Sequence, residues 1–106
     1  MLNNQEKNYE EWFRKAEDVF LSTGVIMREK GGAPSTACFL SQQIAEKYLK
    51  GFLIYCKKEF PKTHDLLDLE TLILGLELEI KNHHEELILL NRYYIETRYP
   101  GDYTEF

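Results

Sequence analysis

Thr36–Lys58, TACFLSQQIAEKYLKGFLIYCKK, is the longest apolar-rich segment of the chain that keeps helical spacing. Ile44, Tyr48, Phe52 and Tyr55 recur at steps of three or four, and Ala45, Leu49, Phe52 and Cys56 form an adjoining line. Two such lines make an apolar face too wide for a single contact, so the spacing predicts a central helix that touches two or more neighbours. Its polar side is thin, and Lys47 and Lys50 on it read as solvated face. Pro34 cannot continue a helix from upstream, which makes Ser35 or Thr36 the expected cap.

Upstream, Tyr9, Trp12, Phe13, Ala16, Phe20 and Thr23 share one face of a helix expected from about Asn4 to Arg28. Gly31-Gly32-Ala33-Pro34 breaks the pattern. So short a break predicts an antiparallel hairpin of the first helix with the central one. Downstream, Phe60-Pro61-Lys62 follows the end of the central helix, expected near Glu59. Asp65 is placed to cap a third helix, with Thr63 as the alternative cap and Asp68 in the first turn. Leu66, Leu69, Leu72, Ile73, Leu76 and Ile80 make its stripe, and Gly75 inside it marks a kink or a close approach. Lys81-Asn82-His83-His84 is a polar interruption, a loop or a bend. Leu87, Leu90 and Tyr94 then set a fourth helix to about Ile95. Arg98-Tyr99-Pro100-Gly101 reads as extended chain entering a turn. With no strand signal, repeat or linker, residues 1–106 are expected to form one domain. The fold class expected is all-α, an antiparallel up-and-down helical bundle of four helices.

Composition narrows the function classes. The chain of 106 residues carries 18 acidic against 13 basic residues, a formal charge of -5, which argues against a broad nucleic-acid surface. Seven Tyr, six Phe and one Trp suit an interface as well as a core. Cys38 and Cys56 lie on one proposed helix about 27 Å apart, too far to bond within it, and read as reduced thiols. The polar start Met1–Glu6 and the lack of an apolar run near 18 residues lead to a cytoplasmic expectation.

Few side chains carry chemistry. His83 and His84 point about 100° apart on a helix, a poor pair for one ion, so no metal site is expected. Gly31-Gly32 lacks the lysine and hydroxyl of a phosphate loop, and no motif calls for a cofactor. His64, between a proline loop and a helix start, could join Lys62 in holding an anion on exposed backbone N–H groups. The plainer reading has Thr63 and Asp65 capping the helix while His64 bonds locally to fix the loop. Arg98 could grip a phosphate or carboxylate in its fork, or pin the tail to a neighbouring acid. Tyr99 beside it could stack or hydrogen-bond, and Lys47 and Lys50 are second choices.

Four segments together resemble the HEPN family, small helical domains of higher eukaryotes and prokaryotes described as nucleotide-binding. Trp12–Asp18 is similar to the family's first helix. Ala45-Glu46-Lys47-Tyr48-Leu49-Lys50-Gly51-Phe52-Leu53 is similar to its AEKxLKAxL helix, and Pro61–Leu66 to its P.THDL segment. Thr97–Asp102 resembles its RYPD-like ending, with a glycine inserted. The resemblance implies a bundle of four or five helices, commonly a homodimer, often encoded with a minimal nucleotidyltransferase. Some such pairs act as toxin and antitoxin. Certain branches are metal-independent RNases, marked by an arginine followed after four to six residues by a histidine on a late helix. Here Arg92 and Arg98 have no histidine after them, since the last is His84. The resemblance also leads one to expect a further helix beyond Tyr103, without which a strip of the first or central helix would lie uncovered.

Three functions follow as expectations. The preferred one is a non-catalytic subunit that forms a homodimer and docks a nucleotidyltransferase or binds a nucleotide-like ligand through Lys62, His64, Arg98 and Tyr99. The second is an RNase toxin with an atypical site that includes His64 or Arg98. The third is a purely structural bundle.

Overall fold

The computed structural model of the protein describes residues 8–30 and 34–98, and the described residues contain helices and no strand. The chain forms a four-helix bundle: α1 (Tyr9–Lys30), α2 (Pro34–Tyr55), α3 (Leu66–Leu74) and α4 (His84–Arg98), with a 3-10 segment at Leu78–His83 before α4. The helix α2 packs against α1, α3 and α4, as its wide apolar face requires.

Local chemistry sets the helix ends. Asn8 caps α1, its Oδ1 accepting from the Glu11 N–H at 3.1 Å, while Glu10 and Glu11 in the first turn suit the positive end of the helix dipole. The helix thus begins later than the expected Asn4. The start of α2 is Pro34 itself, ahead of the expected caps. Proline costs nothing there, because the first N–H groups of a helix have no partner to lose. At the other end α2 stops at Tyr55, short of Lys58. Lys57 takes a left-handed φ of 58°, its N–H donates to Ile54 O at 2.9 Å, and the Lys58 N–H donates to Leu53 O at 2.8 Å. Those bonds are the glycine-type helix stop made by a lysine, so no glycine announces it.

Asp65 caps α3 as expected, accepting from the Leu67 N–H at 2.8 Å. Thr63 supports that cap: its hydroxyl accepts from the Asp65 N–H at 3.0 Å and donates to Asp68 at 2.9 Å. Gly75 does not lie inside a long helix, since α3 ends at Leu74 and Gly75 is its C-cap. The polar stretch read as a loop or bend is the end of the 3-10 segment, which runs directly into α4. Arg98 is the last residue of α4 and not extended chain.

Leu53, Leu69 and Ile73 form the core where α2 meets α3, with Leu49, Phe52, Phe60, Leu72 and Ile80 packed on it. The α1–α2 hairpin is antiparallel. Tyr9, at the start of α1, stacks edge-on against Tyr55 at the end of α2, and Phe13 meets Tyr48. Gly51 makes that approach close enough: a Cβ there would stand 2.6 Å from the Phe13 ring. No helix among the described residues is long and apolar enough to cross a membrane.

Candidate functional site

Gln42, Glu46 and Lys50 lie four residues apart on α2 and therefore on one line of the helix. All three are buried, with 0, 4 and 6 % of their surface exposed. Lys50 is thus not solvated face. Burying such groups is costly unless each finds partners, and the segment 60–65 supplies them. The Glu46 Oε2 takes the Lys50 ammonium at 3.0 Å and the His64 Nδ1 at 2.8 Å. Gln42 donates from Nε2 to the His64 backbone carbonyl at 3.0 Å. The Lys50 Nζ also lies over two rings, 5.7 Å from the centre of Trp12 and 5.6 Å from that of Phe60. A desolvated ammonium between aromatic faces gains a cation–π attraction beside its ion pair.

The loop is held from its other side by α4. Asn91, buried, accepts from the Leu66 N–H through Oδ1 and donates from Nδ2 to Asp65 Oδ1, both at 2.8 Å. The loop before α3 is therefore clamped between α2 and α4. The clamp also occupies the first donors of α3: Leu66 N–H goes to Asn91, Leu67 N–H to Asp65 Oδ1 and Asp68 N–H to Asp65 O. An anion at that helix start would have to displace them.

Burial pushes the Glu46 carboxyl toward a higher pKa. The hydrogen bonds and positive charges of Lys50 and His64 outweigh it, and the group titrates below the ordinary carboxylate value. The Glu46 Oε1 is buried and has no hydrogen-bond partner among the described residues. The His64 side chain stays 43 % exposed. Chemically, the arrangement is a half-exposed imidazole oriented by a buried carboxylate, beside a caged ammonium.

The candidate residues named from sequence divide accordingly. His64 and Lys50 meet on Glu46. Lys62 is exposed at the bend of the loop. Lys47 is half-buried and donates to Gln43 Oε1 at 3.5 Å. Arg98 ends α4, and Tyr99 lies outside the described residues. Sequence reasoning missed Gln42, Glu46 and Asn91. The available signal for the first two was their four-residue spacing with Lys50 along the best-defined helix. His84 also has a partner: its Nδ1 sits 2.8 Å from both carboxylate oxygens of buried Glu70, tying α3 to the start of α4. No group of three or more His, Cys, Asp or Glu among the described residues is placed to hold a metal ion.

The family profile of the HEPN domain matches residues 9–105. The chain belongs to the HEPN domain family. The match spans all four helices, so the Glu46 cluster lies at the heart of this HEPN bundle. No curated protein and no solved structure matches the chain significantly.

Proposed function

We propose that this HEPN-domain bundle works as a non-catalytic subunit, pairing with a second copy of itself and serving as a docking partner for a minimal nucleotidyltransferase. The observation that carries the pairing is a strip on the second half of α1. Phe20, Leu21, Val25 and Ile26 there are 61, 60, 49 and 37 % exposed. Contiguous exposed apolar side chains of this size mark interaction surfaces. The strip borders a groove of about 360 Å³ shared with Ser41 and Ile44 of α2, which gives a second helix a place to lie. The docking role rests on the family context. The buried cluster supports a non-catalytic role: the contacts of Gln42 and Glu46 with His64 fix the loop between α2 and α3, and Lys50 is held on Glu46 away from solvent. A nucleotide-like ligand at Lys62 and His64 fits less well, because the donors it would use at the start of α3 are engaged.

Sedimentation equilibrium tests the pairing. The wild type should be a dimer at micromolar concentration, and Leu21→Arg with Val25→Arg should be a folded monomer. A wild type that stays monomeric, or a variant that still dimerises, would overturn the strip as the interface. Coexpression with a minimal nucleotidyltransferase, read by complex mass, tests the docking role.

One observation favours a metal-independent RNase as a second reading. A histidine held at Nδ1 by a buried carboxylate while its ring remains 43 % exposed is oriented as a proton acceptor should be. RNA cleavage that persists in chelator and is lost in His64→Gln would establish it. Absence of cleavage by the wild type would leave the cluster a purely structural one.

A further inference from the structure

A second apolar groove, of about 390 Å³, opens where α1, α2, α3 and the 3-10 segment converge. Its floor is Phe13, Tyr48, Leu49, Phe52, Ile73 and Ile80, and its rim carries Glu77, Glu79 and His83. Among the described residues no lysine or arginine lines it, Lys81 of the same 3-10 segment included. Glu77 and Glu79 are exposed, so the rim carries negative charge beside an apolar floor. From this pairing we infer that the groove receives a basic amphipathic segment of another protein, with apolar side chains on the floor and flanking Lys or Arg against Glu77 and Glu79.

Charge decides between occupants. A second copy laying the same groove against this one would set glutamates against glutamates. The chain's last eight residues carry Asp102 and Glu105 and no basic residue, so they too would meet like charge. The whole chain is acidic, at -5, and adds to the attraction for a basic partner. The groove is open along one side, which suits a helix laid into it more than a small ligand, whose pocket would enclose most of its surface. The surface is distinct from the α1 strip proposed for pairing, and the two can fail separately.

The test uses the full chain and two labelled synthetic helical peptides of Leu and Ala, one with Lys and one with Glu at the polar positions. Binding is read by fluorescence anisotropy, with circular dichroism to confirm folding of each variant. The Lys peptide should bind and the Glu peptide should not. Glu77→Lys with Glu79→Lys should weaken binding of the Lys peptide about tenfold or more, since like charge on the rim costs affinity. Glu59→Lys with Glu86→Lys makes the same change in net charge at exposed positions outside the groove, and should leave affinity within about twofold. Ile80→Ser tests the floor and should weaken binding with the rim intact. Equal loss in the two charge variants would show diffuse attraction and overturn the inference. So would equal binding of both peptides or no binding of the Lys peptide.

Discussion

Among the described residues two glutamates are buried, each holding a histidine, and they do different work. Glu46 and Glu70 are 4 and 3 % exposed, and each meets an imidazole Nδ1 at 2.8 Å. The histidines are alike too, at 43 and 50 % side-chain exposure. The difference is the third partner. Glu46 also neutralises Lys50, which is buried and lies over Trp12 and Phe60. At Glu70 the histidine is the one partner among the described residues, bound through both oxygens. A partner that can turn toward water costs little when its carboxylate goes. A buried ammonium cannot turn away, so the Glu46 site should be far more sensitive to loss of charge.

The largest effect should come from Glu46→Gln. It leaves the Lys50 ammonium buried without a counter-charge, and removal of one member of a buried pair costs about 3–5 kcal/mol. Urea unfolding would measure it. A loss below about 1 kcal/mol would mean that Lys50 reaches solvent and that the two glutamates are equivalent after all. The companion variant, Glu46→Gln with Lys50→Met, removes the stranded charge and keeps an unbranched chain between the rings of Trp12 and Phe60. It should recover a large part of the loss, because an apolar replacement of a buried pair is often neutral or better. Failure to recover would point to the His64 contact as the main contribution of Glu46.

Acid should sharpen the same contrast. The folded-state pKa of Glu46 lies below its ordinary value of 4.5. The unfolded chain therefore takes up a proton at a higher pH than the folded one. The contribution of Glu46 to stability is fully present above about 4.5 and declines as pH falls toward and through the folded-state value. Unfolding curves between pH 6 and 3 should show a steeper decline for the wild type than for Glu46→Gln. Parallel curves would remove Glu46 from the acid response.

How legible this was in the sequence differs between fold and site. The helices were readable because Tyr48, Leu49, Phe52 and their neighbours repeat at helical spacing, and the Asp65 cap because its residue type and position are local signals. The end of α2 was not readable, since Lys57 adopts a left-handed backbone that sequence assigns to glycine. Nor was the 3-10 segment, because Leu76 ahead of it and Ile80 within it continued the apolar stripe past Gly75. At the site, His64 stood out because it is one of three histidines beside a helix start. Gln42 and Glu46 did not, and Lys50 was a second choice read as solvated face, because polar residues on one line of a helix usually face water. Their burial depends on the loop at 60–65 folding back onto α2, a long-range contact with no local signature.

The smallest effect belongs to Glu70→Gln. The glutamine keeps an acceptor for the His84 Nδ1, and the half-exposed ring can turn its other nitrogen to water. No buried cation is left behind. The loss should therefore be near that of a single hydrogen bond, about 1 kcal/mol. It should also be nearly additive with Glu46→Gln, because no partner is common to the two sites: His84 joins α3 to α4, while His64 joins the preceding loop to α2. A cycle of the two single variants and the double one measures this. A coupling energy above about 0.5 kcal/mol would mean that α3, which lies between the two histidines in the chain, transmits one loss to the other site. The two pairs would then be ends of one rigid unit, and the contrast between a cation-bearing and a cation-free glutamate would no longer account for their difference by itself.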